Sequence, residues 1–90
     1  MKQHFNIHVS GWVQGVGFRY AARIKALQYD LTGTVMNRAD GSVYIEIEGS
    51  PESCNAFIKW CSTGPDFGRV DNLSVNESNL VGYTSFSIRR

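Results

Sequence analysis

The sequence predicts an α+β sandwich, an antiparallel sheet with two helices on one face. Three observations predict it. Runs with apolar residues at every second position alternate with runs at helical spacing, in the order β-α-β-β-α-β with a short extra strand at the end. Each helical run lies between two strands, so each helix serves as a crossover on the sheet. Ninety residues with 42% apolar content supply one core and no room for two.

Phe5, Ile7 and Val9 alternate with Asn6, His8 and Ser10, a half-buried first strand ending near Gly11. The period then changes. Tyr20, Ile24, Leu27 and Leu31 recur at helical spacing with Arg23, Lys25 and Gln28 between them, which predicts a helix from residue 18 to about 29. Asp30 to Gly33 closes it. Thr34 to Asn37 reads as the second strand, and Arg38 to Ser42 as a turn marked by Asp40-Gly41. Val43, Ile45 and Ile47 alternate with Tyr44, Glu46 and Glu48 in a third strand that stops at Gly49. Ser50-Pro51 has the form of an N-cap followed by a first-turn proline. Cys54, Phe57, Ile58 and Cys61 then follow the i, i+3, i+4, i+7 rule, so residues 51 to 62 form the second helix. Gly64 to Gly68 breaks it. Val70 to Val75 is a fourth strand, Asn76 to Gly82 a polar connection, and Tyr83 to Arg89 a closing strand with Phe86 and Ile88 on one face. The order is that of a ferredoxin-like α/β sandwich. One sheet face packs on the helices. The other carries Asn6, His8, Ser10, Tyr44, Glu46 and Glu48 and is expected to meet water, with His4 and His8 as exposed strand residues.

Composition excludes several function classes. Nine basic and eight acidic residues give a net charge of +1, with no global attraction to nucleic acid or to a membrane surface. No apolar run has the length of a membrane span. Met1 to Ser10 alternates polar and apolar rather than forming a continuous hydrophobic segment, so a signal peptide is not expected and the cytoplasm is the default location. Cys54 and Cys61, seven apart on a helix, are separated by about 10 Å along its axis, beyond the roughly 7 Å between Cα atoms that a disulfide allows. They read as reduced core residues. Neither belongs to a metal-ligand spacing, and no metal or cofactor is expected.

The chemistry concentrates between the first strand and the first helix, in Gly11-Trp12-Val13-Gln14-Gly15-Val16-Gly17-Phe18-Arg19. Glycines just before a helix let consecutive backbone N–H groups converge on one point. The helix N-terminus adds partial positive charge there, and Arg19 adds a full one. A cation at the positive end of a helix is locally unfavourable, so its placement points to an anion, with phosphate the expected one. A β-α-β unit returns the chain in the same direction. The first strand, ending at this loop, and the second, ending at Asn37, therefore finish at one end of the sheet, with the third strand between them.

These residues resemble a known family. Gly11-x-Val13-Gln14-Gly15-Val16-x-Phe18-Arg19 is similar to the first signature of the acylphosphatases. Gly33-Thr34-Val35-Met36-Asn37-x-x-x-Gly41-x-Val43, with the later Gly49, is similar to the second, and Gly64-Pro65 and Phe86-Ser87-Ile88-Arg89 match as well. The resemblance spans nearly the whole chain, so residues 1–90 read as one acylphosphatase-like domain. Thr34 stands where an aromatic residue is usual, and Trp12 where a basic one is common. The resemblance implies metal-independent hydrolysis of R-CO-OPO3 to a carboxylate and inorganic phosphate. It implies that Arg19 and the loop N–H groups of residues 14 to 19 hold the phosphate, so that Gln14, Gly15, Val16, Gly17 and Phe18 bind substrate. It implies that Asn37 positions the attacking water. The partner is then a small-molecule acyl phosphate, and the chain is expected to act as a monomer without nucleic acid or membrane.

The residues suit that reaction. An acyl phosphate already carries a stable carboxylate leaving group, and phosphoryl transfer depends on positioning and electrostatic stabilisation. Arg19 offers paired donors for phosphate oxygens. Asn37 directs a water through its carbonyl but is too weak a base to deprotonate it. Other phosphatase designs fit poorly. The position six residues before Arg19, where a cysteine nucleophile would stand, is Val13. There is no Asp-x-Asp pair and no Gly-Lys-Ser/Thr phosphate loop. A ferredoxin-like sheet can instead bind RNA through exposed aromatics. Here Tyr44 is flanked by Glu46 and Glu48, which disfavours a phosphodiester ligand.

Overall fold

Matching of side chains across neighbouring strands builds the core. The structure, a computed structural model, describes residues 1–90. The elements are β1 (Gln3–Trp12), α1 (Phe18–Gln28), β2 (Thr32–Asn37), β3 (Val43–Gly49), α2 (Pro51–Cys61), β4 (Arg69–Ser78) and β5 (Phe86–Arg89). They form one five-stranded sheet in the order β4-β1-β3-β2-β5. In the antiparallel β1–β3 and β2–β3 ladders, Ile7, Ile45 and Val35 stand in one row across the sheet. Val9, Val43 and Asn37 form the next row. The apolar members of these rows are fully buried with Phe57, Cys54 and Cys61 of α2 and Phe18, Ala22 and Ala26 of α1. Phe57 and Trp60 pack at 5.7 Å, and Phe18 and Trp60 at 5.4 Å, which joins the helices over the sheet.

Sequence and structure differ at five places. The sheet is mixed, because β5 pairs with β2 in parallel. The strands β1 and β4 are longer than expected, since each supports the other from Phe5↔Glu77 through Val9↔Leu73 to Trp12↔Arg69, with a bulge between Ser10 and Gly11. The closing strand is shorter. It begins at Phe86 because residues 79 to 85 cross the far sheet face as a strap. That strap overturns the expected exposure of His4 and Glu48, which are 1% and 3% accessible. His4 Nδ1 lies 2.8 Å from Glu48 Oε2, and Nε2 lies 2.8 Å from Asn6 Oδ1 and 3.1 Å from Glu46 Oε1. The ring of Tyr83 stacks at 6.0 Å from His4. Burial is tolerated because every buried side-chain nitrogen and oxygen has a partner.

The fifth difference is the face of α1. Phe18, Ala22 and Ala26 are buried, whereas Tyr20, Ile24 and Leu27 are exposed. Both sets obey helical spacing. Ala22 and Ala26 are completely buried where α1 packs on β2 and β5, and their small size lets helix and sheet approach closely. The third strand and the second helix lie where expected, to within one residue. Both cysteines are free and buried in α2's inner face. No helix is long and apolar enough to cross a membrane.

Candidate active site

Residues 13 to 17 leave β1 and cross the end of the sheet toward α1, which packs on β2 and β5. Gly15 and Gly17 have φ of +75° and +78°, the left-handed region that a side chain disfavours. A Cβ at either glycine would meet nothing within 4 Å, so this stretch of backbone faces open space. Gly17 is the N-cap of α1, with no side-chain cap and no acidic residue in the first turn. By contrast, α2 begins with Ser50, whose hydroxyl accepts from Ser53 N–H at 3.1 Å, with Glu52 in the first turn. Among the loop, turn and cap hydrogen bonds, none takes its donor from residues 14 to 20. The start of α1 therefore presents a run of free N–H groups together with its partial positive charge.

Gln14 ties this loop to the β2–β3 turn. Its side-chain N–H group donates to the Arg38 carbonyl at 2.7 Å and to the Ser42 carbonyl at 2.9 Å. The turn itself is closed by Arg38 N–H to Ser42 O at 2.8 Å. Asp40 caps it by accepting from Ser42 Oγ at 2.5 Å and from Ser42 N–H at 2.9 Å. These bonds, the hydroxyl's first, hold the Asp40 carboxyl below the ordinary aspartate range. Asn37 is the residue immediately before this turn. It pairs with Val43, so its side chain belongs to the helix-side row and not to the strap side.

Arg19 is half-buried, one residue inside α1. Its guanidinium makes a long 3.5 Å contact with the Arg89 carbonyl at the end of β5. Arg89 stands opposite Met36, the residue before Asn37. The structure thus brings Arg19, Asn37, Gln14 and the glycine loop to one end of the sheet. Gln14 contributes more than its backbone: its side chain is the physical link between the two signatures. Nothing local in the sequence pairs residue 14 with residues 38 and 42, so this link is visible only in three dimensions.

Both thiols are buried in the inner face of α2, Cys61 at the end of that helix where Trp60 packs on Phe18. Burial pushes Cys54 up to about 11 and Cys61 higher still, so both stay protonated and unreactive near neutral pH. A groove of about 350 Å³ lies at the opposite end of the sheet from the glycine loop, between α1 and the start of β5, lined by Arg23, Leu27, Asp30, Thr32 and Ser85 among others. The anion cradle itself is an open surface. No three His, Cys, Asp or Glu side chains gather as a metal-binding group.

A family model described as Acylphosphatase matches residues 5–88. The chain belongs to the acylphosphatase family. It is a hydrolase acting on acyl phosphates. An acylphosphatase of Mannheimia succiniciproducens is 44% identical over 88 residues, covering 98% of this chain and 93% of that relative. One of Bacillus licheniformis is 44% identical over 85 residues, 93% of this chain and 94% of the relative. The crystal structure of acylphosphatase from Bacillus subtilis superposes with a TM-score of 0.95 at 41% identity, covering all of both chains. Full-length HypF in a phosphate- and nucleotide-bound form contains a similar unit, with a TM-score of 0.94 at 34% identity over 12% of its length.

Proposed function

We propose that the N–H groups of residues 14 to 19 and the Arg19 guanidinium hold the phosphoryl group of an acyl phosphate while Asn37 directs a water at phosphorus. The observation that carries this reading is the pair of Gln14 hydrogen bonds. They lock the glycine loop, whose N–H groups have no backbone acceptor, to the turn that follows Asn37. Water attacks phosphorus, the P–O bond to the acyl oxygen breaks, and the carboxylate leaves with its electron pair. The proton of the water passes to a phosphate oxygen, since Asn37 cannot accept it. Charge developing on the equatorial oxygens meets donors already in place, so little reorganisation is needed in the transition state. Gln14, Gly15, Val16, Gly17 and Phe18 serve through their backbone, and Arg19 supplies the charge. The reaction needs no metal or cofactor. The protein acts as a cytoplasmic monomer on small-molecule acyl phosphates, without nucleic acid.

Phosphate release from benzoyl and acetyl phosphate, measured with and without chelator, tests this reading. Turnover unaffected by chelator, competitive inhibition by inorganic phosphate, and loss of turnover in folded Arg19→Ala and Asn37→Ala variants are the expected results. A folded wild type that leaves both substrates at their spontaneous rate of hydrolysis overturns it.

A further inference from the structure

The hairpin between β2 and β3 is fastened more heavily than chain reversal requires. Backbone bonds alone close it: Arg38 N–H donates to the Ser42 carbonyl at 2.8 Å, and Gly41 N–H donates to the Arg38 carbonyl at 3.1 Å. The same two carbonyls accept from the Gln14 side chain, Ser42 at 2.9 Å and Arg38 at 2.7 Å. Each carbonyl therefore serves the turn and the glycine loop at once. The firmness of the tie between loop and turn depends on how well Ser42 is held.

Asp40 holds it. Its Oδ1 accepts from the Ser42 hydroxyl at 2.5 Å and from the Ser42 N–H at 2.9 Å, which fixes both the backbone and the side-chain rotamer of residue 42. Ser42 is buried although residues 38 to 41 are exposed. Asn37 pairs with Val43 in the last rung of the β2–β3 ladder, so Ser42 borders the partner of Asn37. The hydrogen bonds of Asp40 go to Ser42 alone. Two charged or titratable groups face its carboxylate: His8, with Nε2 3.8 Å from Oδ2 on the far sheet face, and Arg38 of the same turn. A negative charge is no help to an anion site. The useful property of Asp40 is the position of its acceptor oxygen.

We propose that Asp40 is a positioning residue for hydrolysis, which by holding Ser42 fixes the orientation of Asn37 and so the line of the attacking water. This rests on the reading of Asn37 given above. The phosphoryl group is held by other atoms, the loop N–H groups and the Arg19 guanidinium. Loss of the Asp40 fastening therefore acts on the chemical step and not on phosphate binding. A reacting group displaced by a small distance slows a reaction whose rate comes from positioning.

The test is steady-state hydrolysis of benzoyl phosphate by wild type, Asp40→Ala, Asp40→Asn and Ser50→Ala. Asp40→Ala deletes the acceptor and is expected to lower kcat about three- to tenfold, with the inhibition constant of inorganic phosphate kept within about twofold. Asp40→Asn discards the charge but keeps an oxygen able to accept from Ser42, and is expected to hold kcat within about twofold of wild type. Ser50→Ala is the control for stability. It removes a cap of the same kind, the bond from Ser53 N–H at 3.1 Å, at the other end of β3. It is expected to lower the melting temperature, as Asp40→Ala does, and to leave kcat unchanged. A loss of kcat in Asp40→Ala that Asp40→Asn restores and Ser50→Ala does not share supports the assignment. An unchanged kcat in Asp40→Ala overturns it. So does an equal loss in Asp40→Asn, which points to the charge, or an equal loss in Ser50→Ala, which points to stability alone. All three leave the roles of Arg19 and Asn37 standing. A folded wild type inactive on benzoyl phosphate overturns the catalytic reading itself, and the positioning role with it.

Discussion

Arg19 occupies a position that an isolated helix would reject, because its charge lies in the first turn beside the partial positive charge of the α1 N-terminus. Bound phosphate reverses the sign of that interaction. Two opposed effects of Arg19→Ala follow. In phosphate-free buffer its melting temperature is expected to match or exceed wild type, since removing the cation relieves about 0.3–1 kcal/mol of repulsion against one long contact to the Arg89 carbonyl. With millimolar inorganic phosphate the wild type is expected to rise in stability while the variant does not. Turnover of acyl phosphate in the variant is expected to fall by a factor of 10² to 10³, the effect of losing about 2.7–4 kcal/mol of preorganised stabilisation. A variant stabilised by phosphate as much as wild type would remove Arg19 from the site. Gln14 is a second residue-scale case, with a different signature. Gln14→Ala loses both bonds that join loop to turn, at a cost of about 1–3 kcal/mol in stability. Its kcat/KM is expected to fall with that loss, because the donors are then less rigidly placed. Denaturant unfolding and steady-state kinetics on the same preparation read both, and unchanged stability would deny the tie.

At the scale of elements, the buried face of α1 separates two plausible helices. Ala22→Leu is expected to lower stability by about 1–3 kcal/mol, because it overpacks a completely buried position. Ile24→Gln is expected to change stability by no more than about 0.5 kcal/mol, since Ile24 is exposed. Thermal or urea unfolding of the two variants checks the order, and the reverse order would restore the face read from the sequence. That face was illegible for a definite reason. Tyr20, Ile24 and Leu27 look more hydrophobic than Phe18, Ala22 and Ala26, but the separation between helix and sheet favours small side chains, and no local pattern reports that separation. Strands were legible because period two is a local property, with Val43, Ile45 and Ile47 all fully buried. The ends of β1 and β4 were less so, because each is extended by pairing with a strand some sixty residues away. The glycine loop, Arg19 and Asn37 could be placed at one sheet end from topology alone. The side-chain tie from Gln14 could not, as it depends on a contact 24 and 28 residues away.

Across the whole molecule, one buried carboxylate fastens the strap that delivers the chain to β5. Glu48 accepts from the N–H groups of Val81, Gly82 and Tyr83, with the Gly82 and Tyr83 bonds to Oε1 both at 3.1 Å. It also faces His4 Nδ1 at 2.8 Å. Burial by itself pushes the Glu48 carboxyl up, and is the largest single influence. The hydrogen bonds from Val81, His4, Tyr83 and Gly82 together outweigh it and bring the group below its ordinary value of 4.5. A carboxyl depressed in the folded state contributes stability that is fully present above its unfolded value and is lost as pH falls through the folded value. The window is therefore the region below about pH 4.5. Glu48→Gln is expected to be less stable than wild type at pH 7, because a neutral amide cannot accept all of these bonds with the same strength. As pH falls from 5 toward 3, wild type is expected to lose stability faster than Glu48→Gln, so that the two melting curves converge. A gap constant from pH 7 to pH 3 would show that the strap is held by packing alone. Convergence, with activity lost alongside it, would trace a continuous connection from the sheet's far face. The strap leads into β5, the last carbonyl of β5 meets the Arg19 guanidinium, and a protonated Glu48 would then act on the anion cradle without touching it.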